Sequence, residues 1–152
     1  MAVIMPHPAK PEAGFWHSLR MPIDVLFSGV ATADLEAAIP WYDALLGRPA
    51  DVIPNGDEVM WRICEGAWLY LIRDPTHAGH GLVTVSVADL DQTIAEIGHR
   101  GLDRPPIETI EGAGRKAPFV DPDGNTITFV EVAPPAAPPP PSSRRARGVL
   151  RW

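Results

Sequence analysis

Two stretches of the chain share one pattern of apolar and polar positions. VATADLEAAI (Val30–Ile39) lies over VSVADLDQTI (Val85–Ile94) at an offset of 55 residues. Each copy begins with alternating β-type residues, passes an Asp, and continues with apolar residues at helical spacing. Asp34 and Asp89 are natural helix N-caps, because a carboxylate accepts the free N–H groups of a first turn. Gln92, three residues after Asp89, completes a capping-box pattern. The first helix is predicted over Leu35–Leu46 with its stop at Gly47, and Pro40 inside it should cost one backbone bond and bend it. The second is predicted over about Leu90–Arg100, ending at Gly101. Three strand candidates follow each helix: Ala50–Ile53, Glu58–Cys64 and Ala67–Arg73, then Ile107–Ile110, Arg115–Val120 and Asn125–Val132. Two copies at this spacing are too few for a solenoid. They predict an α+β domain of two tandem βαβββ modules, about 22–73 and 81–132, forming a curved mixed sheet with helices on its outside.

Strand side chains alternate between faces. In Leu82–Val87 one face carries Val83, Val85 and Val87, and the other carries Leu82, Thr84 and Ser86. In the last strand Ile127 and Phe129 oppose Thr126, Thr128 and Val130. The uniformly apolar faces should lie under the helices and the mixed faces should line the concave side. Glu65-Gly66 reads as a two-residue hairpin turn. That turn pairs Ile63 with Trp68, Arg62 with Leu69, and Trp61 with Tyr70. Trp61, Trp68 and Tyr70 then share the concave face, as the wall of a ligand cleft or equally as ordinary core or a dimer contact.

Composition narrows the class. The chain has 152 residues with 45% apolar content, enough for one domain with a core. The single cysteine, Cys64, excludes an internal disulfide framework and is expected to be a buried packing residue. No apolar run approaches the ~20 residues that a bilayer requires, and residues 1–20 lack the apolar core of a signal peptide, so the location is expected to be cytoplasmic. Residues 21–132 hold seven basic and 18 acidic groups, a formal charge of −11. Such a domain repels phosphate backbones and suits a neutral or cationic ligand, although acidity also serves solubility alone. Residues 1–21 read as a proline-containing, poorly ordered leader. Residues 133–152 read as a disordered tail, with six prolines in Ala133–Pro141 and four arginines after them.

ADLEAAIPWYDALLG (Ala33–Gly47) resembles the first helix of vicinal-oxygen-chelate proteins, the superfamily of glyoxalases, bleomycin-resistance proteins and extradiol dioxygenases. FVDPDGNTITFVE (Phe119–Glu131) resembles that family's closing hairpin. The family's enzymes hold a divalent metal with His, Gln or Glu from the first and last strands of each module. The matching positions here are Phe27, Tyr70, Leu82 and Thr128, none of them an ordinary ligand. The resemblance therefore implies a member without metal or other cofactor. Arg115 falls where relatives often carry an arginine that reaches the cavity; it could bind an anion or be a solvated strand-edge charge, and Lys116 should point the other way. His77 and His80 are too few for a metal site without further ligands.

The function expected is small-molecule binding similar to that of the bleomycin-resistance branch, through Phe27, Trp61, Trp68, Tyr70, Leu82, Thr84, Arg115 and Thr128. The ligand would be a hydrophobic or cationic compound, sequestered or carried. The alternatives are a cofactorless lyase or isomerase using Arg115, Tyr70 or an acidic group, and a structural or regulatory subunit with a vestigial cleft. No catalytic residue is identified from the sequence. A homodimer is expected, with no nucleic-acid or membrane partner.

Overall fold

The first module runs β1 (Leu26–Thr32), α1 (Leu35–Leu46), β2 (Val52–Asn55), β3 (Glu58–Cys64) and β4 (Ala67–Arg73). The second runs β5 (Leu82–Ser86), α2 (Leu90–His99), β6 (Glu108–Ile110), β7 (Gly114–Val120) and β8 (Thr126–Val132). The computed structural model describes residues 23–134. The leader (1–21) and residues 135–152 of the tail lie outside the described residues.

The strand orders are β1-β4-β3-β2 and β5-β8-β7-β6. In each sheet the first and last strands of the module pair in parallel, and the other pairs are antiparallel. The duplicated βαβββ architecture is therefore present. The sheet is divided at the module boundary into two four-stranded mixed sheets, each hydrogen-bonded within its own module.

Local capping chemistry sets the helix limits. The Asp34 carboxylate accepts from the Ala37 N–H at 3.1 Å, and that of Asp89 accepts from the Gln92 N–H at 2.9 Å. Helix α1 continues through Pro40 to Leu46 and ends on Gly47, whose φ of 76° is readily adopted only by glycine. The predicted capping box is only half formed, because the Gln92 side chain reaches forward to Glu96 at 3.0 Å instead of back to the cap. Glu131, from β8, serves a different donor of the first turn, accepting from the Leu90 N–H at 2.9 Å.

One face of each sheet and both helices build a shared core. Val30, Val59, Trp61, Leu69 and Leu71 come from the first sheet, Ala117, Phe119, Ile127 and Phe129 from the second, with Leu35, Tyr42, Leu45, Leu90, Ile94 and Ile97 from the helices. Two polar devices join the modules. Arg100, at the end of α2, donates to the Ala44 and Leu45 carbonyls at 2.5 and 3.1 Å, and so satisfies the last turn of α1 with a cation.

The second device is the β7–β8 turn, Asp121-Pro122-Asp123-Gly124-Asn125. The buried Asp121 carboxylate accepts from the Tyr42 hydroxyl, the Asp123 and Asn125 backbone N–H groups and the Asn125 amide, all within 2.9 Å. Asn125 donates to the Ala31 carbonyl at 2.8 Å and accepts from Gly79 and Gly81 in the linker. Asp123 accepts from the Thr32 hydroxyl and the Ala33 N–H. The turn thus clasps the junction of β1 and α1 in the other module.

Asp121→Ala leaves four donors without an acceptor. Each orphaned buried group costs about 1–3 kcal/mol, so unfolding in urea should show a loss of at least ~3 kcal/mol. Burial and then the bond to Asp121 push the Tyr42 phenol well above its ordinary value. Its contribution to stability is therefore complete below the unfolded-state value of about 10 and is lost as pH rises beyond it, where only the unfolded chain ionises. Thermal melts of the native chain should fall more steeply above pH ~10 than those of Tyr42→Phe.

Candidate functional site

The faces turned away from the core are open, and the open face of the first sheet is aromatic. Parallel register places Phe27 beside Trp68 and Gly29 beside Tyr70. The Phe27 and Trp68 rings stack with centroids 6.4 Å apart and planes inclined by 20°. Phe27 stays 53% exposed. Tyr70 lies directly over Gly29, where any Cβ would run into its ring. Val25, Val52 and Met60 join Phe27 and Trp68 around an apolar depression of about 280 Å³.

The open face of the second sheet carries Leu82, Thr84 and Thr128, with Thr84 and Thr128 side by side in the ladder. Leu82 is 85% exposed. The predicted residues thus fall into two groups, Phe27, Trp68 and Tyr70 on one sheet, and Leu82, Thr84 and Thr128 on the other.

Two predicted site residues stand elsewhere. Trp61 is fully buried on the core face: its ring lies 5.8 Å from that of Tyr42, and its indole N–H donates to Asp43 and to the Arg48 carbonyl. The β3–β4 ladder pairs Cys64 with Ala67 as expected, but then Arg62 with Trp68, Trp61 with Leu69 and Met60 with Tyr70. Ile63 is the extra residue of a β-bulge, and a one-residue slip exchanges the two faces of a strand. Met60 consequently takes the place expected for Trp61 beside Tyr70.

Arg115 also lies on the core side, in step with Ala117 and Phe119. Its guanidinium meets Asp91 at 2.8 Å and Glu131 at 3.1 Å, and these partners in that order raise its pKa. The alternation Arg115, Ala117, Phe119 in the sequence already contained that assignment. Lys116 points the other way, to Glu108 at 3.2 Å. Cys64, expected to be buried, is exposed. His77 Nδ1 lies 2.6 Å from Asp74, and that contact holds the Asp74 carboxyl below its usual range.

Residues 23–129 match the family model of the Glyoxalase/Bleomycin resistance protein/Dioxygenase superfamily. Among solved structures, a glyoxalase/bleomycin resistance protein from Catenulispora acidiphila is 40% identical, over 72% of this chain and 98% of its own, with a TM-score of 0.68. TnmS3, an antibiotic binding protein from Streptomyces sp. CB03234, is 24% identical over 75% of this chain and all of its own, at a TM-score of 0.61. A lactoylglutathione lyase from Agrobacterium tumefaciens is 18% identical over 73% and 95%, at 0.60, a likeness of fold alone. No curated protein matches. The chain belongs to the Glyoxalase/Bleomycin resistance protein/Dioxygenase superfamily.

The four positions that the resemblance matches to the family's metal ligands carry a poor donor set. The Phe27 and Leu82 side chains are hydrocarbon, and Thr128 offers a neutral hydroxyl. Tyr70 is the one phenol among them, and Phe27 and Tyr70 sit on a different sheet from Leu82 and Thr128. Protein sites for hard and borderline divalent ions are built chiefly on carboxylate, imidazole or thiolate side chains. These residues do not fit such an ion. Elemental analysis of purified protein should find well under one transition metal per chain. A stoichiometric metal that is lost when Tyr70 or Thr128 is mutated would contradict this reading.

Proposed function

We propose that the protein is a metal-independent small-molecule binder that sequesters or carries a hydrophobic, planar, neutral or cationic compound on the Phe27–Trp68–Tyr70 face. The observation that carries this reading is the stacked Phe27–Trp68 pair, left exposed beside an apolar depression. Exposed rings at this density favour a planar guest, because offset stacking adds about 0.5–1.5 kcal/mol to burial. The acidic domain favours a cation over an anion. TnmS3 is by name an antibiotic-binding protein of the same fold, and that supports binding over turnover. An enzymatic reading through Arg115 is weakened by its ion pairs on the core side.

The protein is further proposed to act as a cytoplasmic homodimer. Leu26, Phe27, Leu82 and Val120 are exposed on or beside the open faces. Strands β1 and β5 are both sheet edges. A second copy in C₂ symmetry would cover them and supply the opposite wall of the cleft. Among the described residues no helix is long and apolar enough to cross a membrane.

Titration with planar aromatic cations such as ethidium, followed by tryptophan fluorescence, should give saturable binding that weakens at least about tenfold in Trp68→Ala. Trp68→Ala should melt close to the native chain. Val85→Asp should melt well below it, because it places a charge on the core-facing side of β5. A collapse of Trp68→Ala with an unaffected Val85→Asp would sink the face assignment. Light scattering at micromolar concentration should give the mass of two 16.5 kDa chains; a monomer would refute the dimer.

A further inference from the structure

A second cavity, of about 400 Å³, lies away from the open aromatic face, between Trp41 of α1, the α2–β6 connection and β7. Its walls include Trp41, Leu102, Pro118 and Phe119, and its polar groups include Arg104 and Asp103. The volume falls within the range of small-molecule sites, and the walls expose slightly more polar than apolar surface, which suits a ligand that joins a ring to a polar group.

Arg104 is the feature that needs explaining. Arg48, Arg73 and Arg115 each meet a carboxylate, and Arg100 caps α1. Among the described residues Arg62 and Arg104 make no ion pair, and of the two only Arg104 lines this cavity. Its arm is nevertheless seated, because its Cγ, Cδ and Nε atoms lie over Gly98 of α2, where any Cβ would displace them. Glycine is a poor residue inside a helix, and here its bare surface is what lets the arginine lie flat beside the cavity. The arrangement sets the Trp41 ring beside a guanidinium that makes no ion pair among the described residues.

The geometry points to a second binding site, selective for a planar aromatic monocarboxylate. The ring would pack against Trp41, and the carboxylate would take the charge-assisted hydrogen bonds that a guanidinium offers. Asp103 lines the same cavity, and the domain around it is acidic. Both penalise a dianion, so a monocarboxylate is favoured over a phosphate. This site is independent of the Phe27–Trp68 face.

The test is an NMR titration of the ¹⁵N-labelled full chain with 1-naphthoate. Saturable shifts are expected at the Gly101–Arg104 amides and the Trp41 indole. The dissociation constant should rise at least about tenfold in Arg104→Gln, and also in Gly98→Ala, which displaces the arginine arm. Arg104→Lys, which keeps the charge, should lose less than Arg104→Gln. Trp68→Ala should leave binding within about twofold. The neutral isostere 1-naphthamide should bind at least about tenfold more weakly, and 1-naphthyl phosphate no more tightly than naphthoate. Unchanged affinity in Arg104→Gln, equal affinity for 1-naphthamide, or shifts confined to residues around Phe27 and Trp68 would overturn the assignment. Arg104 is exposed, so its variants should melt like the native chain, and binding can be read without loss of fold.

Discussion

The fold turns on a buried carboxylate that makes no ion pair among the described residues. Asp121 is held by four donors, one of them a phenol from the other module. A charge in such a place is tolerable only when its lone pairs are fully used. Satisfying them fixes the β7–β8 turn, the position of Tyr42 on α1 and, through Asn125, the strand β1 and the linker. Tyr42 then supports the ring of Trp61, which sets the face that β3 presents to the core. The core and the open aromatic face are two sides of one sheet, so a polar contact on the core side decides which residues are left outside.

What the sequence made legible was local. The helix limits follow from Asp34, Gly47 and Asp89, whose capping chemistry involves neighbours within a few residues. The strands of both hairpins follow from alternation. The bulge at Ile63 was not legible from the Glu65-Gly66 turn alone, because a turn fixes only the pair beside it. The signal lay one level up. A bulge-free hairpin puts Arg62 on the face of Leu69 and Leu71, under a helix. Shifting the strand by one residue matches Val59 and Trp61 with Leu71 and Leu69 and moves Arg62 and Met60 outside. Matching apolar faces across the ladder would have exposed the slip.

The same reasoning applies to the site. Phe27, Trp68 and Tyr70 could be brought together on paper because each lies on a strand whose alternation is clean. The clasp was invisible as a contact, although both halves of it stood out as motifs. The Trp41-Tyr42 pair and the Asp-Pro-Asp-Gly-Asn turn are separated by almost eighty positions, and nothing in either states that the other completes it. Arg104 escaped notice for a related reason. Its setting depends on Gly98, a residue whose contribution is the absence of a side chain.

The clasp also gives the two halves a polarity that their common pattern conceals. The second module's turn carries Asp121, Asp123 and Asn125, whereas the corresponding turn of the first is the bare pair Glu65-Gly66. The joint is a plug and a socket, not a handshake between equals. Two first modules would have no plug to offer, and two second modules no Tyr42 to receive one. Whatever symmetry the repeat began with, the halves are no longer interchangeable. A chain cut in the linker between β4 and β5 would yield fragments with a partner preference already written into them, each complete only in the company of its opposite.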